Sequence, residues 1–131
     1  MKSTGSMRGT RGTRGTRGFR SLVVWQRMQE LVKLVYTLTE KLPKSEMFGL
    51  ISQMRRAVVS VISNFAEGYL KSSKKEKVAY LERSASSLME LDAQAEVCLI
   101  LGYFTDNDFE AFSKKRSEVG YLLHQYKGKV F

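Results

Sequence analysis

Residues 50 to 70 read Leu-Ile-Ser-Gln-Met-Arg-Arg-Ala-Val-Val-Ser-Val-Ile-Ser-Asn-Phe-Ala-Glu-Gly-Tyr-Leu, and this stretch decides the fold class. Leu50, Met54, Ala57, Val61, Phe65 and Tyr69 recur at steps of three and four. At about 3.6 residues per turn that spacing lays one apolar stripe along a helix, the side that faces a core. Val59, Ile62, Ala66 and Leu70 project about a third of a turn away, so a second side of the same helix is apolar too. One small bundle buries only one side. The second predicts self-association.

Working outward, Val24, Met28, Leu31, Val35, Leu38 and Leu42 form a heptad seam, led in by Phe19 and Leu22 and ended by Pro43. The second helix is expected over Leu50 to Glu67, with Gly68 as its C-terminal stop. Ser73-Lys74-Lys75-Glu76 has the Ser-x-x-Glu form that satisfies free amides at a helix start. The third helix carries Val78, Leu81, Ala85, Leu88, Ala95 and Leu99 and stops at Gly102. Thr105, followed by Asp106 and Asp108, opens a fourth with Phe109, Phe112, Val119, Leu123 and Tyr126 on its apolar side. Connections of roughly four to seven residues favour antiparallel neighbours. The expectation is an all-α, up-down-up-down antiparallel four-helix bundle over residues 21–131.

A chain of 131 residues suits one domain with a single core. The lone Cys98 lies within a periodic apolar segment and reads as a small core residue in a reducing compartment, which points to the cytoplasm. No apolar run approaches the ~18 residues of a membrane span, and no secretion signal is evident, so no membrane partner is expected.

The net charge of +9 is unevenly placed. Residues 1–21 hold Lys2, Arg8, Arg11, Arg14, Arg17 and Arg20 and no acid, leaving 16 basic against 13 acidic residues, a net of +3, in the rest. Arg8 to Gly18 is a tandem Arg-Gly-Thr repeat without an apolar residue, so residues 1–20 are expected to form a disordered basic tail. Such a repeat also fits expansion of a coding repeat, or an upstream start codon with Met7 as the true beginning. Lys71, Lys74, Lys75 and Lys77 cluster between the second and third helices. With the five tail arginines they are the candidate phosphate contacts, non-specific and salt-dependent.

Gln53, Arg56, Ser60, Ser63, Asn64 and Glu67 fall within an arc of about 100° between the two apolar sides of the second helix. A narrow polar strip so flanked reads as buried, as a hydrogen-bonded seam between subunits or alternatively as a ligand site. Arg83, Ser87, Glu90 and Gln94 offer a matching strip, with an Arg56 to Glu90 pairing as its test. The subunit interface is therefore assigned to Arg55, Arg56, Val59, Ile62, Asn64, Ala66, Glu67, Leu70 and Glu90. Asp92 interrupts the apolar stripe of the third helix and needs a cation, for which Arg55 and Arg116 are the candidates. A di-iron centre needs paired Glu-x-x-His motifs, and the single histidine, His124, follows Tyr121 at that spacing. No nucleophile triad, phosphate loop or zinc spacing is present in the folded segment. No catalytic residue, metal or cofactor is expected, and the chain reads as not an enzyme.

Leu22-x-Val24-Trp25-Gln26, Leu42-Pro43-x-x-Glu46-x-x-Gly49-Leu50, Gln53-x-Arg55-Arg56-Ala57, Asn64-x-Ala66-Glu67-Gly68, Ser87-Leu88-x-Glu90-Leu91 and Leu101-Gly102-Tyr103 occur in that order. As a set they resemble the four-helix-bundle proteins first noticed as products of intervening sequences in bacterial large-subunit ribosomal RNA genes. The resemblance implies a homopentameric ring, and kinship with the nucleic-acid-binding accessory proteins of diversity-generating retroelements. The folded part of this chain is less basic than the retroelement type. The function expected is a non-enzymatic oligomer that binds nucleic acid, RNA or a ribonucleoprotein, weakly through basic surface. The alternative is a protein-interaction scaffold with no nucleic-acid role.

Overall fold

The structure, a computed structural model, describes residue 18 and residues 22 to 130. The expected tail, with Arg8, Arg11, Arg14, Arg17 and Arg20, therefore lies outside the described residues apart from Gly18. Among the described residues four α-helices of more than one residue occur in order: α1 (Val23–Thr39), α2 (Ser52–Leu70), α3 (Lys74–Ile100) and α4 (Asp106–Val130). A 3₁₀ turn (Lys44–Glu46) and a π turn (Met47–Ile51) connect α1 to α2, and no strand occurs among the described residues.

Contacts between helices run in reverse order along the neighbouring pairs α2–α3 and α1–α4, so these neighbours are antiparallel. From α2 to α3, Cys98 Sγ meets Met54 Sδ at 3.6 Å, Ser84 Oγ donates to the Val61 carbonyl at 2.6 Å, and Lys77 reaches the Tyr69 carbonyl at 2.7 Å. From α1 to α4, Arg27 pairs with Glu118 at 2.9 Å and Lys41 with Asp108 at 2.6 Å. The core between them holds Met28, Leu31, Met54, Phe65, Leu81, Leu91, Phe112 and Leu123, all fully or almost fully buried. Each large side chain so enclosed contributes about 1.5–3 kcal/mol of transfer free energy.

Local chemistry sets the helix ends. α1 ends at Thr39, and two tight turns carry Leu42 back to the core, with the Lys41 amide on the Leu38 carbonyl and the Leu42 amide on that of Thr39. Gly49, at φ −113° and ψ −112°, breaks the helical path, so α2 begins at Ser52 rather than Leu50. Its far end corrects a second expectation: the helix runs through Gly68 to Leu70. Gly68 is buried where α3 crosses, and a Cβ there would lie 3.0 Å from Tyr80 Cβ and 3.3 Å from the Lys77 carbonyl. Its missing side chain permits close approach of two helices; it does not terminate one.

Ser73 opens α3, its Oγ accepting from the Glu76 amide at 3.2 Å. Gly102, at φ 77°, closes it in the left-handed conformation. The Tyr103 amide reaches back to the Cys98 carbonyl and the Gly102 amide to that of Leu99, the two bonds of a Schellman cap. At the start of α4, Thr105 Oγ1 accepts from the Asp108 amide and Asp108 Oδ2 accepts from the Thr105 amide, each at 3.0 Å. The Lys41 ammonium and this amide hold the Asp108 carboxyl below its ordinary value.

Candidate nucleic-acid interface and assembly face

Up-down-up-down order gathers the start of α1, the end of α2, the start of α3 and the end of α4 at one end of the bundle. Gly18 lies there too: a Cβ on it would sit 2.7 Å from Tyr69 Oη. Residues 67–77 and 124–130 bring to this end Lys71, Lys74, Lys75, Lys77, Lys127 and Lys129, against the two acids Glu67 and Glu76. Adjacent antiparallel helices oppose their dipoles, so side chains set the sign of the surface. Lys127 and Lys129 escape a linear reading because about fifty residues separate them from the lysine loop. Basic residues in the last turn of the final helix are the available signal, readable once the topology is drawn.

The lysines differ in what they already hold. Lys74 and Lys75 are exposed. Lys71, partly exposed, lies 3.8 Å from Glu67 Oε1 and 5.3 Å from the Tyr80 ring centroid. Lys77 is half-buried and caps α2, donating to the Tyr69 carbonyl at 2.7 Å and the Gly68 carbonyl at 3.4 Å. Beneath this end lies an aromatic plug. Phe65 meets Trp25 at 6.5 Å, Tyr69 at 6.4 Å and, edge to face, Tyr126 at 5.2 Å between centroids. Burial, then the neighbouring Tyr69, raises the Tyr126 phenol. Trp25 packs against this plug, the anchoring role its position in α1 suggests.

The residues assigned to assembly separate into two flanks of α2. Toward α1, Val59 and Leu70 are exposed, while Ile62 and Ala66 are half-buried against the core. Arg55 donates to Thr39 Oγ1 at 3.0 Å and the Tyr36 carbonyl at 3.3 Å, its guanidinium 4.6 Å from the Tyr36 ring centroid. Toward α3, the polar strip divides. Ser60 and Ser87 share a hydrogen bond at 2.7 Å, and Asn64 Nδ2 donates to Ser60 Oγ and its carbonyl, each at 2.9 Å. That part is a seam within one chain, lining an open groove of about 520 Å³ with Arg83 and Glu82. Gln53, Arg56, Ser63 and Glu67 are exposed in the chain, and Arg56, Ser63 and Glu67 project farther from the core than Ser60 and Asn64.

Arg56 and Glu90 form no ion pair within the chain; the Glu90 carboxylate instead accepts from Gln94 Nε2 at 3.2 Å. Of the two candidates for Asp92, Arg116 is the partner, at 2.7 Å. Cys98 is buried, and burial together with the Glu46 charge pushes its thiol up to about 11. No group of three metal-ligating side chains occurs among the described residues. His124 is exposed.

The sequence profile of the 23S rRNA-intervening sequence protein family matches residues 20–125. The chain belongs to that family. The matched segment contains Arg20 and the lysines from Lys71 to Lys77; the other tail arginines, Lys127 and Lys129 fall outside it. A crystal structure of a protein of unknown function from the S23 ribosomal protein family of Bacteroides thetaiotaomicron is similar to this family member, with a TM-score of 0.74 at 20% identity. The match covers 80% of this chain and 98% of that one, and it concerns the fold. No curated protein matches the chain. Among the described residues of this family member, no helix is long and apolar enough to cross a membrane.

Proposed function

We propose that this intervening-sequence family protein is a non-enzymatic, self-associating RNA-binding bundle acting in the cytoplasm. One observation carries the reading. The topology collects lysines from the α2–α3 connection, α3 and α4 at the end where Gly18, the last glycine of the arginine repeat, lies against Tyr69. Phosphate is bound without sequence readout, by Lys71, Lys74 and Lys75 at this end and by Arg8, Arg11, Arg14, Arg17 and Arg20, which lie outside the described residues. Lys77 holds the end of α2 in place, and its contacts with phosphate are secondary.

Assembly uses the apolar flank of α2 that faces α1, with Val59 and Leu70 at its exposed positions. The subunit number, five in a closed ring, follows the family resemblance. A cyclic assembly repeats the basic end once per subunit on one rim, converting weak contacts into useful affinity. The family's link to ribosomal RNA supports RNA as the nucleic acid.

The test is fluorescence anisotropy with labelled single-stranded RNA and duplex DNA, using the full chain, a chain beginning at Phe19 and the Lys74→Glu/Lys75→Glu variant. The reading predicts RNA binding that survives removal of the first 18 residues, weakens steeply with salt and falls in the lysine variant. Binding carried by the removed residues alone would reduce the interaction to polyelectrolyte attraction, and no binding at physiological salt would reject it. Light scattering of the wild type and of Val59→Asp/Leu70→Asp tests assembly. A wild-type monomer at micromolar concentration would reject self-association.

A further inference from the structure

The other end of the bundle, formed by residues 40–51 and 99–110, carries opposite chemistry. Phe48 is 93% exposed and Ile100 78%, with Leu101 and Met47 beside them in sequence and at least half exposed. Phe48 is presented by a braced turn. One Glu46 carboxylate oxygen accepts from the Leu50 amide and the other from the Tyr103 hydroxyl, each at 3.1 Å, joining the α1–α2 connection to the α3–α4 connection.

Around these apolar side chains the charge is negative. The two segments contain Glu40, Glu46, Asp106, Asp108 and Glu110 against Lys41 and Lys44, a local excess of three acids in a chain of net charge +9. Lys41 is committed to Asp108 at 2.6 Å. Glu40, Asp106 and Glu110 are exposed, and Asp106 and Glu110 stand one turn apart on the same face of α4. Glu96, also exposed, lies one turn before Ile100 on α3.

From this juxtaposition we infer that the end carrying Phe48 and Ile100 docks a protein partner through a basic amphipathic segment, whose apolar side chains cover Phe48 and Ile100 while its lysines or arginines face Glu40, Glu96, Asp106 and Glu110. Charge complementarity selects the occupant. Nucleic acid would meet like charge here. A second copy presenting its own basic end would leave both outer ends free to repeat the contact, giving an open filament in place of a closed assembly. The inference rests on this end alone and stands apart from the RNA reading, which concerns the opposite one.

The probe is a fluorescein-labelled 18-residue peptide of leucine and lysine at helical spacing, compared with its leucine and glutamate counterpart, against the nuclease-treated full chain at physiological salt. The lysine peptide binds at least tenfold more tightly than the glutamate peptide, although the protein as a whole is cationic. Phe48→Ser/Ile100→Ser lowers that affinity at least tenfold with an unchanged circular dichroism spectrum, since both side chains are exposed. Lys74→Glu/Lys75→Glu does not lower it. Absence of binding, equal binding of the two peptides, or retained affinity in Phe48→Ser/Ile100→Ser overturns the inference. So does light scattering in which that variant loses the concentration-dependent mass of the wild type, which would make the occupant a second copy.

Discussion

At the end where α1 begins, exposed lysines stand above a plug of Trp25, Phe65, Tyr69 and Tyr126, so apolar area is turned inward and charge outward. At the end where α1 finishes, Phe48 and Ile100 point to solvent, and acidic side chains fix the connections: Glu46 against Tyr103 and Leu50, Asp108 against Thr105 and Lys41. Both ends gather the termini of antiparallel helices, with opposed dipoles. The surfaces they present differ in exposed side chains, Lys74 and Lys75 at one end and Phe48 and Ile100 at the other, that the core does not enclose. Surface left unoptimised for the isolated chain is where interaction is sought.

The sharpest way to break this contrast is to empty the plug. Phe65 is fully buried and central to the aromatic contacts. Phe65→Ala is expected to cost about 3–5 kcal/mol in urea unfolding, whereas Phe48→Ala changes stability by less than about 0.5 kcal/mol. Equal losses would mean that the exposed phenylalanine is also structural. Gly68→Val tests the adjoining helix crossing and is expected to cost about 1–3 kcal/mol by overpacking against Tyr80 and the Lys77 carbonyl.

A second prediction separates the ends by charge. Lys74→Glu/Lys75→Glu is expected to weaken single-stranded RNA binding at least tenfold, about 1.4 kcal/mol. It should also flatten the salt dependence by about 0.7 log unit for each phosphate no longer neutralised. Glu40→Gln/Glu110→Gln at the other end leaves both quantities unchanged. An equal response at the two ends would mean that the protein acts on RNA only through total charge.

How far these ends are legible in sequence differs by kind of feature. The four helices are legible, because heptad seams, the Ser73 and Thr105 caps and Gly102 are local signals whose meaning survives in the fold. Gly68 misleads: helix stop and close helix crossing both demand glycine, and only the position of Tyr80 separates them. The division of the polar strip into an internal seam and exposed positions depends on where α3 lies, a tertiary fact that periodicity in α2 leaves open. Lys71 to Lys77 form a linear cluster and are visible in one dimension. Lys127, Lys129 and the acidic rim are assembled by topology from distant segments, and Phe48 lies in the stretch between the first two expected helices, where no periodicity tells whether a side chain is covered.

Acid titration probes the fixings of the acidic end. The Asp108 carboxyl is lowered from 3.8, first by the Lys41 ammonium and then by the Thr105 amide, so its ionised form is favoured in the folded state. Its stabilisation is fully present above the unfolded value and is lost as pH falls below about 3.8 through the folded value. Glu30 and Glu118, lowered chiefly by Lys115, lose their contributions on the same acid side, below about 4.5. Asp108→Asn should cost about 1–2 kcal/mol near pH 7 and leave a shallower fall in urea midpoint between pH 4 and 2.5. An unchanged slope would place the acid sensitivity elsewhere.

Between the two ends, α1 and α4 are joined by the alternating chain Arg27, Glu118, Lys115 and Glu30, with contacts of 2.6 to 3.1 Å. These charges balance one another, so the waist presents neither the positive surface of one end nor the negative surface of the other. Hydrogen bonds from Lys115 to Glu30 and Glu118 raise its ammonium above the ordinary lysine range. Yet the acids are more than a third exposed, and solvent takes back most of the attraction. Lys115→Met should therefore cost only about 0.5 kcal/mol at 0.1 M salt, with the difference from wild type shrinking toward zero at 1 M as the charges are screened. RNA binding should respond less than to the Lys74 and Lys75 change, because the network stands away from the basic end. A larger effect of Lys115→Met on RNA would extend the interface down the α1–α4 flank and replace the contrast between ends with a contrast between sides.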